Sequence, residues 1–92
     1  MLIQPASAAW DGTPISLIGI GSAVIWCSVA PSVAPTIQKN GDNSAHWDAQ
    51  DAINSAFALT STITSTGPYI VPGGGYVQLS GGTGGTYAIS GE

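Results

Sequence analysis

Two short runs near the end of the chain, Tyr76-Val77-Gln78-Leu79 and Tyr87-Ala88-Ile89, alternate in character and are set off by the glycine clusters Gly73-Gly74-Gly75 and Gly81-Gly82-Thr83-Gly84-Gly85. A period of two is the signature of a strand, and glycine clusters cannot sustain a helix. This third of the sequence therefore reads as a β-meander closed by a pair of strands. The rest follows the same grammar, with short β-branched and aromatic runs separated by turn residues.

Ile15–Ile20 and Ala23–Val29 read as two strands broken by Gly19, Gly21 and Ser22. Pro31 to Pro35 reads as a turn or an edge segment, because each proline removes a ladder donor. Asn40-Gly41 is a tight-hairpin signal, with Ala45-His46-Trp47 returning as the paired strand. Asp48 to Ala56 holds the one stretch with helical spacing, Ala49, Ala52, Ile53 and Ala56 on one face and Asp48 as cap. Its length supports a single helical turn at most. Phe57 to Thr64 alternates, which predicts a half-buried strand with Phe57, Leu59 and Ile63 inward. Strands at this spacing indicate an all-β fold, a small antiparallel β-sandwich of jelly-roll or immunoglobulin-like type. Residues 14–92 form that domain, and residues 1–13, with Pro5 and Trp10, form an N-terminal arm.

Composition bounds what such a domain does. A chain of 92 residues buries a thin core, and its single Cys27 excludes an intrachain disulfide. Association with copies of itself or with a larger assembly is the remaining source of stability. Charged residues make up 7% of the chain and the net charge is −4, so the surface is built from hydroxyls, amides and glycine. One lysine and no arginine cannot neutralise a run of phosphates, which argues against nucleic acid and anionic membranes as partners. Gly12 to Gln38 carries no charge, but its prolines and missing basic flanks disfavour a membrane span. The N-terminus lacks the pattern of a secretory signal, so the product is expected to be made in a cytoplasm, where Cys27 can stay reduced.

Few side chains carry chemistry. His46 with Asp48 and Asp51 places an imidazole near two carboxylates, yet a zinc site wants more nitrogen or sulfur ligands and a general base wants a nucleophile. A packed hairpin strand accounts for the same residues. Asn40-Gly41-Asp42-Asn43 with Asp48 offers oxygens to calcium at a spacing that fits no calcium loop, and a turn explains it as well. The glycine clusters lack the helix and lysine of a phosphate loop, and close strand crossings explain them. Cys27 lies in an apolar run, where a thiol is inert. Trp26 and Trp47 are expected in the core, with Trp10 exposed or buried against a partner. No catalytic residue, cofactor or metal is expected, and the chain reads as a non-enzyme.

The segments Thr36-Ile37-Gln38-Lys39-Asn40-Gly41-Asp42-Asn43-Ser44-Ala45-His46-Trp47 and Tyr76-Val77-Gln78-Leu79-Ser80-Gly81-Gly82-Thr83-Gly84-Gly85-Thr86-Tyr87 resemble the small β-sandwich structural proteins of tailed-bacteriophage virions. Where many of those carry Arg in the penultimate strand, this chain has Gln78. The resemblance implies a capsid decoration or cement subunit located in the virion, in contact with the major capsid protein or another virion protein. It also implies a homo-oligomer, most often a trimer. Leu2, Ile3 and Trp10 of the arm are the expected partner contacts. The rival expectation is a carbohydrate-binding or adhesin module of a tail or fibre, using exposed aromatics and Asn or Asp side chains.

Overall fold

The computed structural model describes residues 10–41 and 46–91, and among them it is all-β, without a helix. Nine strands form two antiparallel sheets that pack as a small β-sandwich. They are β1 (Ile15–Ser16), β2 (Ser22–Val33), β3 (Thr36–Asn40), β4 (Asp48–Ala49), β5 (Ala52–Ile53), β6 (Leu59–Thr60), β7 (Gly67–Pro72), β8 (Tyr76–Ser80) and β9 (Thr83–Gly91). One sheet has the order β1-β8-β3-β4, the other β6-β5-β7-β2-β9.

The closing meander expected from the sequence is replaced by a different connection. β8 and β9 lie in opposite sheets, as do β7 and β8, so the glycine clusters carry the chain across the sandwich. Gly73 shows why: a Cβ there would collide with the Ile20 carbonyl. Glycine is what allows that approach of backbone to backbone.

Alternation fills the core from both sheets, though it breaks in β2 past Cys27 and at Asn40, buried at the end of β3. Ala23, Ile25 and Cys27 of β2, Tyr69 and Val71 of β7 and Tyr87 and Ile89 of β9 point inward to meet Ile37 of β3 and Val77 of β8. Leu17 and Ile63, from the connections, complete this core with Trp10. β2 is longer than expected and runs through Pro31. Pairing with β7 stops at Cys27–Gly67, whereas pairing with β9 continues past irregularities to Val33–Thr83. Pro31 thus sits where β2 has lost β7 as a neighbour, an edge position of the kind in which proline is tolerated.

Both flanks of the sandwich are stitched. Trp10 N–H donates to the Tyr87 carbonyl of β9 and Leu79 N–H of β8 donates to the Gly12 carbonyl, so one short segment ties the two sheets together. On the other side Ile37 N–H donates to Ser61 O, Ile63 N–H donates to Pro35 O, and Thr36 bridges Thr62. Covering edges in this way removes open backbone that would recruit foreign strands.

Three local expectations change. Register pairs Lys39 with Asp48, so residues 40–47 intervene and Asn40-Gly41 does not form a tight two-residue turn. Asp42 to Ala45 lie outside the described residues, and the returning strand is β4, after His46 and Trp47. The helical spacing of residues 48–56 resolves into β4, β5 and a turn, with Ala52 buried and Ile53 facing out. Of the expected strand from Phe57, β6 covers Leu59–Thr60; Phe57 and Leu59 are exposed and Ile63 alone of the three is buried.

Candidate functional site

The two outer faces of the sandwich differ in chemistry. On the four-stranded sheet the outward positions are mostly polar: Thr36 pairs with Ser80, Gln38 with Gln78, and the half-buried Tyr76 with Asn40. The Gln78 side-chain amide donates to Gln38 Oε1 at 2.6 Å. Such a face is at home in water.

On the five-stranded sheet the outward positions of β6, β5 and β7 and the middle of β2 are apolar, while Ser28, Thr86 and Ser90 place hydroxyls along its β2–β9 side. Register places Leu59 beside Ile53, Ile53 beside Ile70 and Ile70 beside Val24, giving one row of aliphatic side chains across β6, β5, β7 and β2. The next row holds Pro68, Trp26 and Ala88. Leu59 is 70% exposed, Trp26 50% and Ile70 41%. Val29 extends the strip along β2, likewise exposed. None of these outward positions is ionisable. Single exposed apolar residues are ordinary, but a contiguous patch of this kind marks an interaction surface.

Phe57 stands beside this face, 90% exposed, on the turn between β5 and β6. Its φ is +60°, a backbone region that bulky residues avoid. Asn54 fixes the turn: its Oδ1 accepts from the amides of Ala56 and Ala58, each at 3.0 Å, and its backbone carbonyl accepts from Phe57 N–H. The ring is therefore held out in solvent by hydrogen bonds to its neighbours, at a cost in strain.

The residues singled out from sequence fall elsewhere. Trp10 is 2% exposed and belongs to this chain's own core, with Nε1–H donating to the Thr13 carbonyl at 2.8 Å. It is not a free partner contact. Leu2 and Ile3 lie outside the described residues. Trp26, expected inside, is the exposed tryptophan, because Ala23, Ile25 and Cys27 take the inward positions of β2. Trp47 is half-buried. Cys27 is buried, its Sγ 3.2 Å from the Val29 carbonyl, and burial pushes its thiol pKa up.

An open cleft of about 610 Å³ lies at one end of the sandwich, between β3, β4 and the Gly73–Gly75 loop. His46 Nε2 and Asp48 Oδ1 are 3.2 Å apart at its rim, both exposed, and exposed pairs hold little energy. Asp51 does not join them: among the described residues no three His, Cys, Asp or Glu side chains converge as a metal site would need. Lys39 Nζ donates to the Pro72 and Gly73 carbonyls at 2.9 and 3.1 Å, and burial pushes its pKa down. The lysine thus fastens the end of β7 to β3. The cleft is lined by Gln50 and Asn40 as well as glycine backbone, and no tryptophan lines it. Sugar rings usually stack on an aromatic side chain, so the aromatic surface and the polar cleft are in different places.

No helix among the described residues is long and apolar enough to cross a membrane. No protein-family model, curated protein or solved structure matches this chain.

Proposed function

We propose that this chain is a non-enzymatic structural subunit of a virion, a decoration or cement protein that strengthens a phage head through contacts with its neighbours. The observation that carries the reading is the apolar outer face of the five-stranded sheet, free of ionisable groups and flanked by Phe57. Burying such a face contributes roughly 25 cal/mol per Å² removed from water. Small gains of this kind multiply when many copies bind one shell. The partners under this reading are the major capsid protein or another virion protein, and further copies of the same chain.

The test is to add purified chain to expanded tailed-phage heads that lack decoration subunits. Saturable co-sedimentation and a raised temperature of head rupture are expected; absence of binding rejects the reading. The adhesin alternative draws on one observation, the half-exposed Trp26 on a flat sheet. Glycan-dependent quenching of Trp26 fluorescence, lost in Trp26→Phe, would favour it.

A further inference from the structure

From the asymmetry of the two outer faces we propose that the apolar face of the five-stranded sheet is closed by the same face of a second copy, related by a two-fold axis. This deepens the structural reading above by assigning that surface to contact between copies.

The choice of occupant follows from charge, shape and area. A face without ionisable side chains offers nothing to select a charged partner, whereas an identical face presents the same aliphatic rows. Two sheets of the same twist also pack in the aligned manner of β-sandwiches, with about 10 Å between them.

The strands β6, β5, β7, β2 and β9, of 2, 2, 6, 12 and 9 residues at about 3.4 Å per residue and about 4.8 Å apart, present about 500 Å². Phe57 adds about 150 Å² as an exposed aromatic ring. Closing two copies then removes about 1,300 Å² in all, near the lower end of specific interfaces. The molecular extents of 30 × 26 × 25 Å accommodate a face of that size. An interface at this limit predicts a weak, reversible dimer. An isologous contact also closes at two copies, in place of the trimer expected from sequence.

Salt supplies a signature. Each copy carries a net charge of −4 and the contact holds no ion pair, so screening strengthens the dimer. A partner held by opposite charge behaves the other way.

Sedimentation equilibrium of the full chain from about 1 µM to about 1 mM tests this, with a monomer–dimer equilibrium that tightens as salt is raised as the expected result. Ile70→Lys, at the centre of the face, and Leu59→Glu, at its edge, each weaken the dimer by more than about tenfold. Circular dichroism and the unfolding midpoint report whether each variant remains folded, and either one folded suffices. A monomer throughout, a trimer, or a dimer indifferent to a folded variant overturns the proposal. A monomer that still binds heads sinks the pairing and spares the cement reading; a dimer through this face that binds no head does the reverse.

Discussion

Trp10 and Tyr87 show at the scale of single residues how position overrides type. Trp10 lies near the start of a stretch without regular structure, yet its ring fills the core and its backbone joins β9. Trp10→Ala should therefore cost about 3–5 kcal/mol, as for other buried aromatics. That is most of the stability of a small domain. The expected result in denaturant titration is a largely unfolded chain; a fully stable variant with weakened assembly would instead make Trp10 a partner contact. Tyr87 raises the opposite case. Its hydroxyl is buried without a hydrogen-bond partner, packed under Gly85. A buried hydroxyl left unpaired forfeits its hydration, so Tyr87→Phe should raise stability by about 1 kcal/mol, measured by the same titration.

At the scale of elements, the β5–β6 turn decides where the apolar face ends. Alternation from Phe57 onward suggests a strand with Phe57 and Leu59 inside, but Asn54 captures the amides of Ala56 and Ala58 and sets a different phase. A left-handed Phe57 costs roughly 1–2 kcal/mol. Asn tolerates that conformation, and the exposed ring forfeits no core packing when it is removed. Phe57→Asn should raise the unfolding free energy by about 1 kcal/mol while weakening association. An unchanged or lowered unfolding midpoint would show that the turn is not strained.

β8 and β9 teach the complementary lesson. Their periods were legible in Val77, Leu79, Tyr87 and Ile89, but each strand's partner was not. A run of alternating residues specifies which side chains face inward and says nothing about which sheet receives them. Gly73 has no side chain to reveal that the Ile20 carbonyl lies against it. Trp26 was misplaced for a related reason: a large aromatic suggests a core, whereas the parity of β2 gives the inward positions to Ala23, Ile25 and Cys27.

For the whole molecule, alkaline stability depends on a few buried groups. Burial raises the pKa of Cys27 above its ordinary 9.0 and of Tyr87 above 10.0. The unfolded chain releases these protons first, so the stabilisation is complete below those values and is lost as pH rises through the folded ones. Lys39 works against this trend, since burial lowers its pKa below 10.5 and its share of stability grows with pH up to that value. Thermal unfolding should show a midpoint that declines above pH 9, and Cys27→Ala should delay the onset towards pH 10. A Cys27→Ala profile parallel to the parent chain would remove the thiol from this account.

The chain by itself determined an all-β sandwich, because period-two runs, glycine clusters and scattered prolines leave room for one helical turn at most, over residues 48–56, where the structure has β4, β5 and a turn instead. It also determined a surface poor in charge, which follows from composition alone. The tertiary structure decided that one outer face is polar and the other apolar, that Trp10 is inside and Trp26 outside, and that β8 and β9 separate. Those outcomes depend on strand register and on which backbones approach across the sandwich. Both are set by contacts between residues far apart in sequence, which no local pattern encodes.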